Sequence, residues 1–290
     1  VVKRPEVVGS FEATAAMVAV GSSVAAATAL VDYPIAGGQA IRYGAAGLLL
    51  VVFARGRLPR LMRRQTVRLV ALAAVGLAGF NAFLIAAVRE ADAGSVGVIV
   101  GCVPVALALA GPLLERRAVS ARVLAAAVVV SVGAATVQWA GGSMSLVGLL
   151  LSLGALGCEA AFTLLAVPLV TSLGARGVSA YACLLAVPLL LVVGLALDGR
   201  DMMPIPSFEE VVALAYMAVV VTAIAFVLWY SSVDRLGVDR AGLFAGIVPV
   251  SALLSATAIG ESSLTLVGLL GAAVVGAGVT VGVRSDDRSA

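Results

Sequence analysis

The sequence predicts an all-α integral membrane protein of ten transmembrane helices, built as two inverted five-helix repeats with both termini cytoplasmic. Three observations predict it: an apolar composition, the spacing of charge-free runs, and a motif that returns at a fixed offset. Of 290 residues, 62% are hydrophobic and 12% charged, and the mean hydropathy is +1.13. That is about half the charge of an ordinary soluble domain. So little polar surface cannot cover a water-soluble core of this size, and the bilayer is the natural solvent.

A helix needs about 20 apolar residues to cross a hydrocarbon layer roughly 30 Å thick. The first charge-free run gives a helix over residues 11–31, and the spans that follow it argue against a cleaved leader. The second helix, 34–54, is apolar except for Gln39 and Arg42 and so carries one buried charge. Charge-free runs give helices 69–88 and 93–114 directly. The stretch Val123 to Cys158 would be about 54 Å long as one helix, too long for one crossing. It divides at Gly141-Gly142-Ser143 into helices 121–140 and 146–169. Helices 177–197, 210–233, 240–260 and 263–283 complete the set, and the polar tail Ser285 to Ala290 is expected to be disordered. The first repeat occupies residues 1–142 and the second 143–290.

Lysine and arginine in short loops stay cytoplasmic when a chain inserts. With the N-terminus inside, 16 of the 19 Lys and Arg residues fall on the cytoplasmic side, Arg89 and Arg200 outside, and Arg42 within a span. One missed helix would scatter the arginines to both sides. The stretch Arg55 to Arg68 is topogenic and suited to anionic lipid. A net charge of +3 is therefore explained by topology, and nucleic-acid binding is not expected.

The repeat is read at an offset of 145: Gly97 to Val105 and Gly242 to Val250 are both G-x-x-x-G-x-V-P-V. Glu115 and Glu261 follow, and Gly133 matches Gly278. An odd number of helices per copy forces opposite insertion of the two copies. Inverted repeats of this kind are a transporter device, because exchanging the conformations of the halves moves a cavity from one side to the other.

The arrangement resembles the EamA-type branch of the drug/metabolite transporter superfamily. The residues that carry the resemblance are Gly21-Ser22-Ser23, Ile41-Arg42-Tyr43 and the run from Ala87-Val88-Arg89 through Pro104 to Glu115, repeated in look by Phe226 to Tyr230, Pro249-Val250 and Gly260-Glu261. Family members often carry tryptophan before the small residues of helices 1 and 6; here Val20-Gly21 and Leu156-Gly157 stand there. The resemblance implies an exporter or permease of small metabolites with a central cavity, in a bacterial cell membrane. It also implies that the small multidrug-resistance relatives keep a coupling glutamate in the first helix of the unit, a location that Glu159 shares. One lysine against eighteen arginines fits a GC-rich bacterial genome.

Glu159, near the centre of helix 6, is the main candidate. A carboxylate at bilayer depth costs about 2.5–3.5 kcal/mol on insertion scales and marks a functional site by default. It is a candidate proton carrier, a binder of cations or amines, or a structural partner of Arg42; its counterpart in helix 1 is read as Ser23. Arg42 demands a partner in turn: Glu159, a helix carbonyl or a substrate carboxylate. Asn81 and Gln39 are candidates for reading a polar ligand or for bonding between helices. Pro104 and Pro249 remove helical N–H groups at matched positions and are candidate hinges or cavity walls. Gly97, Gly101, Gly242 and Gly246 mark close helix contacts. Tyr33, Trp139, Trp229 and Tyr230 fall near span ends and are read as interfacial belt.

The expected function is a secondary-active, alternating-access exporter of a small organic solute, an amino-acid-like zwitterion or an amphipathic amine, with protons as candidate coupling ion. A facilitative permease is the alternative. The chain has no histidine and three scattered cysteines, Cys102, Cys158 and Cys183, so a Ser-His triad, haem ligation and a zinc site are excluded. No cofactor or metal is expected. A membrane enzyme is disfavoured because a lone buried acid makes no catalytic dyad, and a channel because no filter segment or charge ring exists.

Overall fold

The computed structural model describes residues 4–138 and 144–284. Among these, nine helical stretches are long and apolar enough to cross a membrane. The stretch Leu146–Leu197 is two helices, because Gly174 leaves the helical region at φ 70°, ψ 159°. The helices are α1 Pro5–Leu30, α2 Ile35–Phe53, α3 Arg63–Glu90, α4 Ala93–Leu114, α5 Ala121–Gln138, α6 146–173, α7 175–197, α8 Phe208–Leu236, α9 Val238–Ala258 and α10 Leu266–Val283. The protein is an all-helical membrane protein. The Gly141-Gly142-Ser143 turn, Trp139 and the 285–290 tail lie outside the described residues.

All ten expected helices are present, but several bounds differ for local reasons. Helix α3 starts six residues earlier than expected, at Arg63, because the Gln65 carboxamide accepts from the Met62 backbone N–H at 2.8 Å and organises its first turn. Helix α8 begins at a capping box in which Ser207 and Glu210 satisfy each other's backbone N–H groups. Helix α1 reaches back to Pro5, where Glu6 and Glu12 pair with Arg240 and Arg235. The expected loop between helices 6 and 7 contracts to Gly174, and α8 turns into α9 at Gly237, φ 81°. Both backbones sit in the region open to glycine at no steric cost.

Packing follows the repeat. Helix α5 meets α10 with Gly133 beside Gly271 and Val275, and Gly278 beside Ala126 and Val130. Helix α2 meets α7 with Gly44 against Val187 and Gly47 against Leu184. Helix α4 meets α9 with Gly111 against Val238 and Leu107 against Gly242. In each pair the numbers rise along one helix as they fall along the other, so each element runs antiparallel to its own counterpart. Two further antiparallel pairs exchange into each other: α1 with α8, where Ser22 reaches Tyr216, and α6 with α3, where Phe162 lies on Gly76.

The backbone keeps the same register. Helix α3 is π-helical over Leu72–Gly79 and α8 over Met217–Ile224, at the 145-residue offset that separates Gly97 from Gly242. Helix α4 breaks into a turn at Gly101-Cys102, one turn before Pro104 becomes buried, and α9 tightens to 3-10 geometry over Leu243–Gly246 before Pro249. At this offset the residue in register with Glu159 is Thr14, and Ser23 stands opposite Pro168. The earlier pairing of Glu159 with Ser23 is therefore corrected: Ser23 opens the short segment Ser23–Ala27 after a break in α1.

The ion pairs gather at the arginine-rich end. Arg117, in the α4–α5 connection, bonds Asp239 at 2.7 and 3.2 Å and Glu115 at 2.6 Å. The bond to Asp239 raises the Arg117 pKa above its ordinary value, burial opposes it, and Glu115 adds to it. Arg235 bonds Glu12 at 2.9 Å and Arg240 approaches Glu6 at 3.7 Å.

Two stability outcomes are expected. In Gly133→Val the added atoms meet backbone, Val275 N at 2.8 Å and Gly271 O at 2.9 Å, which cannot rotate away. The cost is about 1–3 kcal/mol, seen as a lowered apparent unfolding temperature in detergent, whereas Gly276→Ala, with nothing within 4 Å, leaves it unchanged. Arg117→Ala strands the Asp239 carboxylate; with the guanidinium 39% exposed, the expected loss is about 1–2 kcal/mol in denaturant unfolding.

Candidate functional site

The polar groups at membrane depth converge on α2, α6 and α8. Arg42 sits two turns into α2. Its Nε donates to Thr222 Oγ1 at 2.6 Å and its Nη1 to Gln39 Oε1 at 3.3 Å. Its guanidinium also lies 5.3 Å from the Tyr43 ring centre, within cation–π range. Thr222 can accept because the π-helical turn lets its hydroxyl donate five residues back, to Met217 O at 2.8 Å. An α-helix alone would carry that hydroxyl to a carbonyl one residue nearer.

Arg42 is therefore held by neutral acceptors. Glu159, half-buried in α6, makes no hydrogen bond or ion pair among the described residues. The candidate pairing of Arg42 with Glu159 does not occur. Asn81 donates to Leu77 O on its own helix at 2.8 Å.

Tyr43 is buried beside Arg42, a position to which the sequence reading gave no role. Around it lies an aromatic block: Phe226 at 6.3 Å from Tyr43, Phe162 at 5.0 Å from Phe226, and Tyr230 at 5.3 Å from Phe162. Tyr230 is fully buried and its hydroxyl has no hydrogen-bond partner. Trp229 is buried too and donates from Nε1 to Thr163 Oγ1 at 3.0 Å. The interfacial reading of Trp229 and Tyr230 is corrected: their helix continues to Leu236, so they lie inside the bundle. Tyr33 is also buried, donating to Pro204 O at 2.9 Å. A spacing signal existed: Phe226 and Tyr230, four apart, share a face of α8.

Two cavities flank this block. One, of about 250 Å³, is lined by Arg42 and Gln39 with Tyr33, Leu30, Leu214 and Met217 among its walls. The other is a vestibule of about 770 Å³ at the arginine-rich end, bounded by Arg55, Arg57, Arg176 and Arg235, with Leu173, Val227 and Leu228 behind them. Along α8 the order is Leu214 and Met217 on the cleft, Thr222 and Phe226 between, then Val227, Ser231 and Arg235 on the vestibule. Glu159 lines neither of these two cavities.

The remaining candidates pack helices. A side chain at Gly97 would strike Gln138, whose Nε2 donates to Gly97 O at 3.0 Å, and Gly101 lies under the same side chain. Gly242 admits Leu107 and Gly246 admits Val130. Pro104 and Pro249 are buried where their helices change geometry.

Residues 146–283 match the EamA-like transporter family. An uncharacterized transporter of Bacillus subtilis (strain 168), YetK, is 26% identical over 279 residues, which are 93% of this chain and 84% of that protein. A crystal structure described only as that of a protein superposes with a TM-score of 0.82 at 19% identity, over 94% of this chain and 95% of the other, a likeness of fold alone. The multi-pass helical chain is thus similar to membrane transporters, through residues 146–283 to the EamA-like transporter family and over most of its length to a bacterial transporter.

Proposed function

We propose that the protein is an alternating-access exporter of a small organic solute in a bacterial cell membrane, built from two five-helix repeats, 1–142 and 143–290, inserted in opposite directions with both termini cytoplasmic. The antiparallel meeting of each helix with its own counterpart, α2 with α7, α4 with α9 and α5 with α10, carries this reading. Exchange of the two halves' conformations then carries a midplane site from one face to the other. The vestibule among Arg55, Arg57 and Arg176 lies at the end the positive-inside rule assigns to the cytoplasm, and supports loading from inside. The aromatic block between vestibule and cleft is the barrier, and the interruptions before Pro104 and Pro249 are the hinges.

Proton coupling through Glu159 is the first form of this reading. An uncoupled permease is the second, favoured by the position of Glu159 outside both cavities. The test is flux in proteoliposomes. Saturable counterflow of a solute is expected, and its absence across a metabolite panel would reject a carrier. With coupling, Glu159→Gln loses accumulation driven by a pH gradient yet keeps counterflow; the same pH dependence in variant and parent leaves only the permease.

A further inference from the structure

We infer that the solute is an organic anion, an apolar body bearing a carboxylate or similar oxyanion, that Arg42 recognises in the cleft; the inference rests on the carrier reading above. An arginine at membrane depth that is already neutralised by an acid is structural. Arg42 is not: its two bonded nitrogens meet a threonine hydroxyl and a glutamine carbonyl oxygen, and Nη2 makes no hydrogen bond among the described residues. Thr222, Gln39 and the Tyr43 ring orient the guanidinium without cancelling its charge. A half-buried, oriented and unneutralised guanidinium lining a cleft is a receptor for an oxyanion.

The cleft wall argues for the rest of the solute. Beside Arg42 and Gln39 it is formed by Leu30, Val31, Ile35 and Met217, and no acidic side chain lines it. Its 250 Å³ is below the usual range of drug-sized sites, so the apolar part is small. The far entrance agrees in sign. Arg55, Arg57 and Arg176 have no acidic partner among the described residues, and the single acid on that vestibule, Glu12, is bound to Arg235. A mouth of that charge concentrates anions and repels amines. The topogenic arginines alone would explain the mouth; the cleft, which holds no topogenic residue, requires the anion independently.

Two isosteric probes separate the charges: 3-phenylpropionate and phenethylamine share ring and chain and differ in the terminal group. Binding to the full-length protein in detergent is expected for 3-phenylpropionate and not for phenethylamine. Arg42→Gln weakens it about tenfold or more. Arg42→Lys, which keeps the charge but loses the planar fork, binds between the two and carries the test if Arg42→Gln does not fold. Tighter binding of phenethylamine, no binding of 3-phenylpropionate, or 3-phenylpropionate binding that both Arg42 variants leave unchanged overturns the inference. Arg42-dependent binding of 3-phenylpropionate with no counterflow of any solute in the panel upholds the anion site and sinks the carrier reading, whereas counterflow of phenethylamine alone does the reverse.

Discussion

In hydrocarbon, one apolar helix gains nothing by leaving lipid for another unless the two backbones come close. The fold depends on that constraint. Lipid tails are as apolar as leucine, so association rests on close van der Waals contact and on hydrogen bonds between helices. Glycine supplies the closeness where the two halves meet. Gly133, Gly271 and Gly278 bring α5 and α10 into backbone contact, Gly111 and Gly242 do so for α4 and α9, and Gly47 for α2 and α7. All three seams join a helix to its counterpart at the 145-residue offset; glycine comes from both sides in α4–α9 and α5–α10, and from α2 alone in α2–α7.

The repeated backbone carries side chains that are not repeated, and the candidate site arises from that difference. Both π-helical stretches exist, yet Thr222 in α8 corresponds to Leu77 in α3, so only the second can hold a guanidinium. Phe226, which lies against Tyr43, corresponds to Asn81.

The ion pairs are one-sided in the same way. At the 145-residue offset, Arg117 and Asp239 correspond to Ser262 and Gly94, and Glu12 and Arg235 to Gly157 and Glu90. Neither pair can be rebuilt at the opposite end. In the alternating-access reading proposed above, two states related by exchange of the halves differ in energy, since the arginine-rich end keeps its charged contacts in only one of them. A solute that prefers the other state must supply the difference.

Helix number and the placement of Arg42 and Glu159 within apolar helices were legible in the sequence, because each follows from local hydropathy and from the fixed rise of a helix across a layer of fixed thickness. The lengths of α1 and α8 were less so, since their ends are set by Glu6, Glu12 and the Ser207–Glu210 cap and not by hydropathy. Partnerships were not legible at all. That Arg42 turns to Thr222 and away from Glu159, that Trp229 and Tyr230 lie inside the bundle, and that Tyr43 packs on Phe226 depend on which helix faces meet. Periodicity places a side chain on a face of its helix; only tertiary packing, 180 residues away in the case of Arg42 and Thr222, decides what that face touches.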